Sequence, residues 1–174
     1  MSMIRITAAA ILLALISGWA TILPASAAPA TRTVAVFDFE LMDTSLEGES
    51  RGVDAAETAR FARISGLLRN LLAASGRYTV VDLAPAAAKI ADAAPIHGCN
   101  GCEIAIAGAL GAERVVTGTV QKVSTLILTL SIFESDVATG GKLQLATAQI
   151  RGNTDESWAR GVEWLVHNQM LTAH

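Results

Sequence analysis

The sequence predicts a single α/β domain, a mixed five-stranded sheet packed by helices, in the order β-α-β-α-α-β-β-β-α. Three observations predict it. In the first half, runs rich in β-branched residues alternate with Ala/Leu-rich stretches at helical spacing, which favours parallel strands joined by crossover helices. In the second half three strand-like runs follow one another, and the last two flank Gly140 and Gly141, which favours antiparallel additions through a hairpin. The 174 residues, 52% of them apolar, suit one ordinary domain with enough material for a core.

Taken in order, residues 31–40 set Val34 and Val36 against Ala35, Phe37 and Phe39 and predict a buried first strand. Residues 41–53 carry Gly48, Gly52 and several carboxylates and predict the longest loop. Residues 54–75 predict a long amphipathic helix through Phe61, Ile64, Leu68 and Leu71, with Asp54 as cap and Gly76 as stop. A second strand follows over 77–83, then an alanine-rich helix over 84–94 with Pro85 at its start. A turn over 95–101 holds His97 and Cys99, and a helix over 102–110 ends at Gly111. Strands are expected over 114–123, 125–136 and 142–151. Asn153 is expected to cap a final helix reaching Leu171, with Glu156 completing a capping box, and Trp158, Val162, Leu165 and Met170 sharing its core face.

The amino terminus has its own logic. Arg5, an apolar run and the small residues Ala25, Ser26 and Ala27 stand in the order of a secretory signal peptide. Residues 1–27 are therefore expected to be cleaved, leaving a periplasmic domain over 28–174. A retained anchor is the alternative, but Gly18 and Thr21 interrupt the run and no stop-transfer charges follow. The product is thus expected to be Sec-exported and soluble, with no stable membrane anchor after cleavage. Removing Arg5 from the 13 basic residues leaves 12 against 16 acidic ones, without the Lys/Arg cluster that nucleic acid or anionic lipid requires.

Two segments carry candidate chemistry. Cys99 and Cys102 form a CxxC, for which an oxidising compartment makes a structural disulfide the default. A redox pair is the alternative, since a cysteine at a helix start beside His97 is a setting that lowers a thiol pKa; metal binding would need more ligands than His97 and Glu103 supply. Asp38, Glu40, Asp43, Glu47 and Glu49 crowd the stretch 38–54. With Ser45, Asp38, Glu40 and Asp43 are candidates to line a ligand or partner pocket beyond the end of the first strand, joined by Asn153, Asp155 and Trp158. Oxygen-rich Asp38, Glu40, Asp43 and Glu47 also suit calcium or a lanthanide, although their spacing is not that of an EF-hand. No nucleophile elbow, phosphate loop, dinucleotide glycine pattern or zinc-protease motif is present. No catalytic residue and no cofactor are expected.

Several motifs resemble known families. TVAVFDFE at 33–40, SGRYTVVD at 75–82, GAERVVTGTV at 111–120 and DVATGG at 136–141 resemble the TolB amino-terminal domain and the CsgG-like periplasmic domain of curli secretion. More closely, FDFELMDTSLEGE at 37–49, CNGCE at 99–103 and RGNTDESW at 151–158 are similar to an uncharacterised exported proteobacterial family. That resemblance implies a periplasmic domain, some of whose members share gene neighbourhoods with quinoprotein alcohol oxidation. No propeller follows and the lipid-bearing cysteine of the curli protein is missing, so propeller contacts and pore formation do not carry over. The expected function is a soluble, non-catalytic periplasmic binding or adaptor protein with an envelope protein as partner. The alternatives are a thiol–disulfide protein using the CxxC, or a cation binder using the acidic loop.

Overall fold

The computed structural model describes residues 30–51 and 55–172, apart from the side chains of residues 47, 49 and 51. The expected leader lies outside the described residues, as does Asp54. Among the described residues no helix is long and apolar enough to cross a membrane.

Strand β1, Arg32–Asp43, is the hub. It pairs in parallel with β2, Tyr78–Val80, on one side and with β3, Arg114–Ser124, on the other. Strands β4, Ile127–Asp136, and β5, Lys142–Arg151, add antiparallel, giving the order β2-β1-β3-β4-β5. The crossover from β1 to β2 is the long helix α2, Ala55–Ala74, preceded by a short helix α1, Leu46–Arg51. Between β2 and β3 run a 3₁₀ turn Ala84–Ala86, helix α3 Ala87–Ala93, a 3₁₀ turn Ile96–Gly98 and helix α4 Cys102–Ala109. Helix α5, Asp155–Leu165, continues into a π turn, Val166–Met170. The predicted mixed sheet is the one observed, and the predicted element order holds with the short helix α1 added after β1.

Period-two alternation sends Val34 and Val36 to one face of the sheet and Ala35 and Phe37 to the other. A register shift between Val36 and Phe39 then resets the parity, so Phe39 joins the first face. On that face α2 and α5 bury Ile64, Leu68, Leu72, Trp158, Val162 and Leu165 against Leu128, Leu130 and Ile132. Phe61 meets Trp158 edge to face at 5.0 Å. Gly118 is required there, because a Cβ would stand 2.5 Å from the Phe39 ring. On the other face α3, α4 and the 3₁₀ turns cover Ala35, Phe37 and Val115 with Ala86, Ile96, Ile106, Ala107 and Ala112. Beyond Val115 the described cover on this second face thins to the Ile96–Gly98 turn, which Glu40 holds beside Thr119. Val123 and Leu145 are half exposed there.

Two expectations are corrected. The expected loop over 41–53 is, in its described part up to residue 51, mostly regular structure: β1 continues to Asp43 because its second half pairs with β3 from Phe39↔Gly118 to Asp43↔Lys122, and α1 follows. The cap of α5 is Thr154, whose hydroxyl accepts from Ser157 N while Ser157 Oγ accepts from Thr154 N. Asn153 and Glu156 do not form that box, since Asn153 is engaged by α2. The final helix does run to Met170, next to the expected Leu171, its last five residues wound as π rather than α.

Candidate functional site

A groove of about 730 Å³ lies where the half-covered face opens, between the Cys99–Cys102 turn with α4 on one side and β3 and β4 on the other. Its turn wall is set by Glu40 of β1. The Glu40 carboxylate accepts from Ile96 N at 2.6 Å and His97 N at 2.7 Å, and its Oε2 is 2.7 Å from His97 Nδ1. The Cys99–Cys102 disulfide, Cα–Cα 5.6 Å, staples the same turn. Gly101 supplies the left-handed residue before α4. Cys99 Sγ lies 3.3 Å from Glu103 Oε2, so a thiolate formed there would face a carboxylate, the reverse of the electropositive setting that activates a cysteine.

The groove floor comes from outward positions of the strands. Thr117 and Thr119 of β3 and Ser135 of β4 line it, and their hydroxyls have no hydrogen-bond partner among the described residues. Thr119 is only 6% exposed, and it meets the outside through the groove it lines. Met42, Ile96, Ile104 and Phe133 supply apolar wall, and Lys142 holds its ammonium 5.7 Å from the Phe133 ring centroid. The chemistry offered is apolar contact, hydroxyl donors and acceptors, and one cation. No nucleophile with an adjacent base is among these groups.

Of the nine residues expected at a ligand or partner surface, the seven whose side chains are described do not line this groove; Asp38 and Glu40 instead border a smaller one of about 360 Å³ beside Arg69 and Ile90. Asp38 is exposed and pairs with Arg69 at 2.5 Å. Glu40 holds the turn from behind. Asp43 accepts from Ser45 N at 2.8 Å and Ser45 Oγ at 2.6 Å, and Gly48 N donates to Ser45 Oγ, so both residues start α1. Burial pushes the Asp43 carboxyl up, but the Ser45 hydrogen bonds and the Lys122 charge outweigh it and hold it below the usual carboxylate range. Trp158 is fully buried core. Of Glu47 and Glu49 only the backbone is described.

Asp43 and Asn153 are nevertheless linked, through buried charge. Lys122 Nζ lies 3.8 Å from Asp43 Oδ2 and donates to Glu57 Oε1 at 2.6 Å, and Asn153 Nδ2 donates to that same oxygen. Arg60 donates to Asn153 Oδ1 and to Asp155, where Arg63 joins it. The Arg60 bond, against the opposing desolvation and with Arg63 adding charge and a hydrogen bond, holds the Asp155 carboxyl below its ordinary value. A second network lies elsewhere on that face: Tyr78 Oη bonds both oxygens of Glu134 at 3.1 Å, with Arg114 nearby. Burial, then the Glu134 charge, pushes the Tyr78 phenol up to about 12, and burial raises Glu134.

Among the described residues, Cys99, Cys102 and Glu103 are the one group whose potential metal-ligand atoms lie within 4.8 Å of one another, and the two sulfurs are bonded together. Asp38, Glu40 and Asp43 each face a different partner. The groove residues left no motif, but parity marked them: Thr117, Thr119 and Phe133 occupy the positions alternate to the buried Val116, Val120 and Ile132. Parity also marks Lys122, Glu134 and Glu57. The first two continue inward-facing rows of valine or leucine, and Glu57 stands one turn before Phe61.

A family model described as "Protein of unknown function (DUF2380)" matches residues 32–170. No curated protein is significantly similar in sequence. Among solved structures, the LpoB C-terminal domain from Salmonella enterica superposes with a TM-score of 0.51 at 20% identity, covering 73% of this chain and 87% of that one. PelC from Paraburkholderia phytofirmans, solved as a dodecamer, gives 0.47 at 12% identity over 78% and 86%. TolB from Acinetobacter baumannii gives 0.47 at 15% identity over 82% of this chain and 29% of that protein. The first likeness shows a shared fold; the other two, below 0.5, add nothing to it.

Proposed function

Given that the chain belongs to the DUF3280 family, to which no activity is ascribed, we propose from the groove itself that it is an exported, non-catalytic adaptor that seats an envelope protein on the half-covered face of its sheet. The observation that carries this reading is the floor of Thr117, Thr119 and Ser135, with unpartnered hydroxyls beside Phe133 and Met42. Hydroxyls that line a groove without a protein partner are open to hydrogen bonds from whatever occupies it. An aromatic ring and a methionine beside it offer the apolar contact that anchors protein interfaces. Export is supported by the leader motif at 1–27 and by a disulfide suited to an oxidising compartment.

The test is a photo-reactive phenylalanine placed at Met42, which is 39% exposed, in cells producing the protein, with Arg63 on the opposite face as control position. A discrete cross-linked protein from position 42 and none from position 63 is expected. No product, or the same products from both, overturns the groove reading. Amino-terminal sequencing of protein recovered from the periplasm is expected to begin at Ala28, and an uncleaved leader overturns the export part alone.

A further inference from the structure

Strand β5 ends the sheet, and an edge strand exposes a row of N–H and C=O groups to any other strand. Thr147 sits opposite Ser131, and its backbone groups point away from β4 into a side chain. Thr147 N donates to Gln169 Oε1 at 3.0 Å, and Gln169 Nε2 donates to Thr147 O at 3.0 Å. One amide therefore makes the two bonds that a residue of an added antiparallel strand makes. Two features hold Gln169 there. It lies in the π turn that closes α5, where the wider turn changes the direction of its side chain relative to an α-helix. Its carbonyl also accepts from Gln144 Nε2 at 2.6 Å, which ties it to β5 a second time.

The rest of this edge suits a second copy of the same chain. Period two gives Leu145 and Gln149 the same outward orientation as Thr147. An antiparallel pair of β5 strands centred on Thr147 matches donor to acceptor throughout and sets Leu145 of one copy against Gln149 of the other. Leu143 and Leu145, 53% and 58% exposed, would gain cover. Lys142 and Arg151 at the strand ends bring like charges together in that pairing, a further brake on it.

We propose that Gln169 is an edge guard, its amide occupying on β5 the backbone groups through which a second copy of this chain would add its own β5. Sedimentation of the purified protein tests it. Gln169→Ala, and Gln169→Met, which keeps the length without the amide, are each expected to self-associate at least about tenfold more tightly than wild type, since one hydrogen bond of ordinary strength corresponds to about that factor. Thr147→Pro removes the outward N–H without touching the ladder to β4, so in the Gln169→Ala background it is expected to restore wild-type behaviour. Variants that sediment as wild type overturn the proposal, as does association that persists in the double variant. Amide exchange in the wild-type protein gives a reading independent of any variant's folding. Thr147 is expected to exchange more slowly than Leu145 and Gln149, and equal rates overturn the guard.

Discussion

The two faces of this one sheet are built from the same strands and differ in what lies opposite them. On the helix-covered face α2 and α5 bring Leu68, Leu72, Trp158 and Leu165 onto Leu128, Leu130 and Ile132, all essentially excluded from water. On the other face, cover thins beyond Val115 to a single turn, and the next outward positions of β3 and β4 carry Thr117, Thr119, Phe133 and Ser135. Each fully buried aliphatic or aromatic side chain contributes about 1.5–3 kcal/mol, so the first face holds the strands in place. The second is thereby freed to present hydroxyls and an aromatic ring. Stability and recognition are divided between the two sides of single strands, residue by alternate residue.

The comparison is broken most severely at Trp158. Trp158→Ala empties the centre of the covered face and is expected to lower stability by about 3–5 kcal/mol, measured by chemical denaturation. A smaller effect comes through pH. Folded Tyr78 keeps its proton to about 12 against an ordinary value of 10.0, so between those values the native state binds more protons than the unfolded one. Stability therefore falls as pH rises through that window, by at most about 3 kcal/mol, and Tyr78→Phe is expected to flatten the fall. Gly118→Ala forces a methyl into the Phe39 ring and is expected to cost about 1–3 kcal/mol. The smallest change in stability, about 0.2–1 kcal/mol, is expected for Phe133→Ala on the half-covered face. There the same substitution should reduce cross-linking from position 42 at least about tenfold, as removal of an interface anchor does. A Phe133 variant as unstable as the Trp158 one would erase the distinction between the faces.

Much of the fold was legible in the residues. Period-two runs and the Gly140–Gly141 turn marked the three late strands, and the Phe61, Ile64, Leu68 stripe marked α2. The second half of β1 was hidden because residues 41–43 owe their strand conformation to pairing with Val120, Gln121 and Lys122, distant in sequence. The site was legible only in part. Cys99 and Cys102 were found by spacing and border the groove, but the carboxylates of 38–49 drew attention by local density. Of those whose side chains are described, Asp38 pairs with Arg69, Glu40 holds the turn at residues 96–97 and Asp43 bonds Ser45 at the start of α1, because a carboxylate is engaged by the nearest N–H or guanidinium. Thr117, Thr119 and Phe133 carried no local signal beyond parity, since a threonine on a strand is ordinary until its neighbours are known.

By itself the sequence determined the order and type of the elements, the stapled turn and the leader motif, because propensity, periodicity and spacing act over a few neighbouring residues. Tertiary structure alone decided which face of β3 and β4 would stay uncovered, that Lys122 would meet Glu57 and Asn153, and that Gln169 would reach Thr147. Those outcomes depend on how far each helix extends across the sheet, a long-range geometry that no short stretch of chain contains.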